Sequence, residues 1–212
     1  MKKSIVLIIT LLFVAAVSAL IYQNIDDTDS YMKQQNYKFN KTQLLVSVKN
    51  VQEEVSRIFL QKQDAVDKIV DSASEFVPLK IKDVNVLFRL DEYEKVNVNL
   101  LSKSEEKDYA EIKNIFNNND INDFDIFRFI FKENKQTITN EKQKEVLIEQ
   151  FINESLNTKI NKIKNKLGFL SKPDKDKFYE LFINVNYLEE IAKAYYILNK
   201  KGEVKYFELS FK

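Results

Sequence analysis

The 212-residue chain carries 33 basic against 32 acidic side chains, a formal net charge of +1, and only three of its basic groups are arginines, Arg57, Arg89 and Arg128. That balance excludes a long-range pull on nucleic acid or anionic lipid, and the scarcity of Arg argues against bidentate phosphate recognition. Neither His nor Cys is present, which removes the usual general base, Ser–His and Cys–His pairing, disulfides and most zinc sites. An enzyme is not expected, and a hydrolase built on paired carboxylates lacks a convergent acid pair. The apolar fraction of 44% with sixteen Phe supplies a core for one domain beyond any targeting segment.

The first element is an apolar run from Ile5 to Tyr22, preceded by Met1, Lys2, Lys3 and Ser4. At 1.5 Å per residue it spans roughly 27 Å, enough for the hydrocarbon core of a bilayer. Ile5, Leu7, Ile8, Leu11, Leu12, Phe13, Val14, Leu20 and Ile21 form the expected membrane anchor. Lys2 and Lys3 before it, and Asp26, Asp27 and Asp29 after it, orient the N-terminus to the cytoplasm and the bulk of the chain outward. A removable secretion signal with its cut near Val17-Ser18-Ala19 is the alternative; both readings export the rest.

No Gly or Pro interrupts the sequence before Pro78. Leu44, Val48, Val51, Val55, Ile58, Phe59, Val66, Ile69 and Ala73 recur at steps of three and four, which predicts a long amphipathic helix with one stripe packed on the protein's own sheet. The polar link at Asp26–Ser30 is where this helix is expected to bend or break. Beyond Pro78, alternation in Val84–Leu90 and Val96–Leu100 around Asp91–Lys95 predicts a hairpin. Ser102 with Glu105 reads as a capping box opening a helix to about Phe116, and Asn117–Asp120 as its break. A short helix over Asp123–Lys132 and a longer one from Asn140 to about Leu167 follow, with Gly168 as C-terminal cap. Phe178–Val185 is strand-like, and Ala194–Leu198 with Val204–Phe211 turn around Lys200-Lys201-Gly202. Phe124, Phe127, Phe129 and Phe131 make the most aromatic window, read as core of a helical insert with an exposed partner patch as the alternative.

This order, together with Leu90-Asp91-Glu92-Tyr93-Glu94-Lys95-Val96-Asn97-Val98-Asn99-Leu100, resembles the K-type minor pseudopilins of type II secretion and related type IV pilus-like systems. In that family the long helix leads to a strand ending in Asp-Glu, a turn, Lys and alternating Asn, here Asp91, Glu92, Lys95, Asn97 and Asn99. The lack of a carboxylate in the apolar run also matches K-type subunits. The resemblance implies an α+β pilin-like fold: a long N-terminal transmembrane and amphipathic helix on a small antiparallel sheet, with an all-helical insertion. Its implied divisions are 1–22 anchor, 23–77 periplasmic continuation of the helix, 78–101 pilin-like strands, 102–172 helical insertion and 173–212 closing strands.

It also implies leader cleavage around Lys3 and Ser4, where Ser4 stands in place of the family's Gly, and the family's Trp-containing acidic motif is absent. The implied role is to cap or initiate a pseudopilus for secretion or DNA uptake, as a single-pass inner-membrane protein whose partners are the lipid bilayer, other pseudopilins and inner-membrane secretion components. A membrane-anchored periplasmic scaffold or binding protein unrelated to pili is the alternative. No cofactor is expected apart from calcium, which some relatives hold in the helical domain. Asp120, Asn122, Asp123 and Asp125 miss the EF-hand spacing, with no Gly at the sixth place and Phe131 at the twelfth, so helix capping is the expected role.

Overall fold

A computed structural model describes the backbone of residues 2–61, 66, 69–70, 75–81, 84–171 and 177–212, with side chains from Thr10 onward. Helix α1 (Lys2–Gln61) runs for 60 residues without a break, about 90 Å at the α-helical rise. The Asp26–Ser30 link does not interrupt it: its polar side chains all face solvent, and the Thr28 hydroxyl donates back to the Asn24 carbonyl at 2.7 Å. Residues 66, 69 and 70 are also helical, while Ala73 lies outside the described residues. Pro78 does not end a helix directly: it sits in β1 (Val77–Ile81), an edge strand, where a missing N–H costs no ladder bond.

Strands β2 (Val84–Glu92), β5 (Phe178–Tyr187), β6 (Glu190–Asn199) and β7 (Val204–Phe211) complete a five-stranded antiparallel sheet in the order β1-β2-β5-β6-β7. Period-two alternation gives the sheet two different faces. Val86, Leu90, Leu181, Ile183, Val185, Ala194 and Leu198 join the α1 stripe of Leu44, Val48, Val51, Val55 and Phe59 in one core. The Ser56 hydroxyl fixes α1 to the last hairpin by donating to the Gly202 carbonyl at 2.7 Å, and Gly202 takes the positive φ (74°) of that turn.

The expected hairpin across Asp91–Lys95 is not formed. After β2 the chain leaves the sheet: Tyr93 is fully buried, and β3 (Val96–Asn97) pairs in parallel with β4 (Leu167–Gly168). A 3₁₀ turn then occupies Val98–Ser102. Val96, Val98 and Leu101 are buried in the insert's core, so alternation here marks entry into a second core and not a sheet surface. The sheet partner of β2 is instead β5, with Leu90 opposite Leu181.

The insert comprises α2 (Glu106–Asn117), α3 (Phe124–Asn134) and α4 (Glu141–Ser155). Glu105, not Ser102, occupies the N-cap of α2; the Ser102 hydroxyl donates to the Asn99 carbonyl. The helix expected to reach Leu167 stops at Ser155, because Leu156 turns left-handed (φ 55°) and the Asn157 side chain accepts from Lys159 N–H, starting a 3₁₀ turn. Gly168 is therefore a strand residue and not a helix cap. The insert packs on the sheet face opposite α1, where Phe178 and Ile197 enter its core with Phe116, Phe127 and Phe151.

Among the described residues no helix is long and apolar enough to cross a membrane. The described side chains of the Ile5–Tyr22 run begin at Thr10, and Ile5, Leu7, Ile8 and the Lys3–Ser4 region lie outside them. The thirteen remaining residues to Tyr22 make only about 20 Å of helix.

Candidate functional site

Two places stand out: the joint between sheet and insert, and the free part of α1. At the joint the Asp91–Asn99 stretch is divided. Asp91 lies 2.8 Å from the Arg89 guanidinium, and Glu92 accepts from Lys177 at 3.1 Å, both at the rim. Asn97 donates to Ser171 and accepts from Asn99 N–H; Asn99 donates to the Ile138 and Phe169 carbonyls and accepts from Ile138 N–H. The two asparagines thus bond neighbouring backbone inside the insert.

Lys95 is the centre of the joint. Its Nζ is 2.6 Å from the Glu180 carboxylate, donates to Tyr195 Oη at 3.3 Å and lies 3.8 Å from Glu141. Tyr195 also donates to Glu180, while Lys144 pairs with Glu141 and donates to the Leu167 carbonyl at 3.1 Å. Two cations and two carboxylates cancel, and the side chains of Lys144 and Glu180 are only 6% and 8% exposed. Glu141 Oε1 is buried without a hydrogen-bond donor, beyond bonding length from Lys95 but near enough for Coulomb attraction. The open cleft above, about 830 Å³, is lined by Arg89, Lys142, Glu145, Phe182 and Glu208 as well. Its charged floor clamps the insert's α4 to strands β5 and β6.

Burial sets the titration of this joint. Burial pushes Tyr93 and Tyr206 up to about 12, Tyr195 further still with help from Glu180, and depresses Lys144 despite its Glu141 partner. A phenol whose folded pKa is raised contributes stability that is complete below pH 10 and is lost as pH climbs toward 12; Lys144, shifted the other way, gives a smaller opposing rise below 10.5. Stability is therefore expected to fall steeply above pH 10. Phenolate absorbance should show these three tyrosines titrating only with unfolding, whereas ordinary titration of all ten near pH 10 in the folded chain would contradict the buried joint.

Sequence reasoning missed Glu141, Lys144, Glu180 and Tyr195. One signal was present: Glu180 is the single charged residue in the strand-like stretch Phe178–Val185. The four aromatic residues do not form one exposed surface, since Phe124, Phe127 and Phe131 are buried and Phe129 alone is exposed. Asp123 precedes α3 but makes no capping bond with its side chain, which accepts from Asn157 instead. Among the described residues no group of three or more metal-binding side chains is assembled.

The free part of α1 is the larger feature. From Thr10 to Phe39 every side chain is exposed, including Leu11, Leu12, Phe13, Val14, Leu20 and Ile21. Contact with the sheet begins at Lys41, whose ammonium lies 4.9 Å from the centre of the Phe211 ring on β7, and the buried stripe begins at Leu44. A single helix with this much apolar surface needs an external cover, because isolated helices draw most of their stability from packing. Comparison with protein-family models, with curated protein sequences and with solved structures finds no match.

Proposed function

We propose that this chain is a minor pseudopilin, anchored in the inner membrane with its bulk in the periplasm, that caps or initiates a pseudopilus for type II secretion or a related DNA-uptake machine. The observation that carries this reading is the division of α1. Its second half lies on an antiparallel sheet with a helical insertion behind it, while its first half projects free with an apolar surface. The run Ile5–Tyr22 would reside in the bilayer until it packs with the corresponding helices of other pseudopilins, and the folded domain would cap that bundle by side-to-side contact. No catalysis is involved; the free energy comes from exchanging lipid contacts for helix contacts.

The test is the mature N-terminus, measured by mass spectrometry in cells with and without prepilin peptidase. A peptidase-dependent start at or beside Ser4 is expected. A start at Leu20 would mean a removed signal and end the reading. An intact Met1 in both strains would favour an anchored scaffold unrelated to pili.

A further inference from the structure

Ile25, Met32, Phe39 and Val46 follow one another at seven-residue intervals on α1, each about half exposed. They span about 32 Å of helix. They lie on the side of α1 away from the stripe that packs on the sheet, and Glu53 at the next interval ends the series. A straight helix drifts about 20° per seven residues, so the stripe turns by only about 60° from Ile25 to Val46, and a second helix can follow it along its length by wrapping gently around the first.

We propose that this stripe is the seam of a parallel, in-register dimer with a second copy of the chain. The intermediate seam positions are Thr28, Gln35 and Thr42. The Thr28 and Thr42 hydroxyls donate back to the Asn24 and Lys38 carbonyls at 2.7 and 2.9 Å, so neither needs a partner across the seam. Gln35 alone does, and its in-register partner is another Gln35. A shift by seven residues preserves the apolar layers but sets Gln35 against a threonine whose hydroxyl has already given its one proton to the backbone and can only accept, leaving the Gln35 carbonyl without a donor.

Direction follows from the same residues. In a parallel pair Ile25, Met32 and Phe39 each meet their own counterparts, whereas an antiparallel pair sets these positions in layers with Thr and Gln. The flanking positions of a parallel pair bring Asn24 to Asp29, Tyr31 to Asn36 and Lys38 to Gln43, each a donor with an acceptor and no like charges. Asp26, Asp27, Lys33 and Lys41 point away from the seam. The folded domains, on the opposite side of each helix, do not obstruct it.

This dimer goes beyond the pseudopilin reading, which needs no second copy, and it does not depend on leader processing. The test uses the full-length chain in membranes, where its lack of cysteine makes single introduced cysteines unambiguous. Under mild oxidation Phe39→Cys is expected to form several-fold more disulfide-linked dimer than Tyr37→Cys, an exposed position off the seam, and Met32→Cys should behave as Phe39→Cys does. Equal yields at positions 37 and 39 would overturn the seam. Preferential linkage of Met32→Cys chains to Phe39→Cys chains over linkage to themselves would overturn the in-register pairing. Since Phe39 makes no contact with the folded domain's core, Phe39→Asp should abolish linkage of Met32→Cys without unfolding the domain.

Discussion

Replacing Lys95 by Met is expected to destabilise the folded domain by about 3–5 kcal/mol, the usual consequence of removing one partner from a buried ion pair. Glu180, 8% exposed, would lose its ion-pair partner and retain the hydrogen bond from the Tyr195 hydroxyl and the more distant charge of Lys144. The companion chain with Lys95→Met and Glu180→Gln removes both charges and should recover most of the loss, giving a coupling of several kcal/mol in a double-mutant cycle. Urea unfolding followed by tyrosine fluorescence measures both, since there is no Trp. A loss under 1 kcal/mol for the single change would show that the joint is hydrated. The consequence reaches beyond stability, because Lys95 is in the segment that leaves the sheet and its carboxylate partners lie on β5 and α4. Loosening it frees the insert from the face opposite α1 while that helix keeps its own core.

The parts of this fold legible in the sequence are those set by local periodicity. The Leu44–Phe59 stripe, the three helices of the insert and the strands flanking Gly202 each satisfy a rule spanning fewer than about twenty residues. Their partners were not legible. Val84–Leu90 looks like the first half of a hairpin because a turn-like segment follows it. Tyr93 takes that segment inward instead, and the strand pairs with β5, about ninety residues later. The same long-range choice hid the joint: Glu180 and Tyr195 read as ordinary strand positions until β5 and β6 are set side by side, which brings Glu180 opposite Ile197 and Phe182 opposite Tyr195. The end of α4 was missed for a different reason. A leucine in left-handed conformation at Leu156 runs against its own preference and is imposed by the packing of Ile160 and Ile163 beyond it.

Gly168→Ala is expected to cost about 3 kcal/mol or more, at the upper end of overpacking effects. A Cβ built there would stand 2.0 Å from Tyr93 Oη, 2.9 Å from Tyr93 Cζ and 2.8 Å from Lys95 Cβ. The ring cannot retreat: Tyr93 is fully buried, its N–H donates to the Phe178 carbonyl, and its hydroxyl meets Leu170 N–H. The backbone of Gly168 is extended within β4, so the demand for glycine here is space for a phenol and not access to left-handed φ. That distinction is measurable. At a helix C-terminal cap Asn is tolerated better than Ala, so Gly168→Asn would be the milder change if the site worked as the sequence first suggests. Packing against Tyr93 reverses the order, with Asn the more damaging in urea unfolding because it adds three further heavy atoms beyond the clashing Cβ. Tyr93→Phe should recover part of the Gly168→Ala loss by removing Oη, and only part, since Cζ would still stand within 3 Å of the new methyl group.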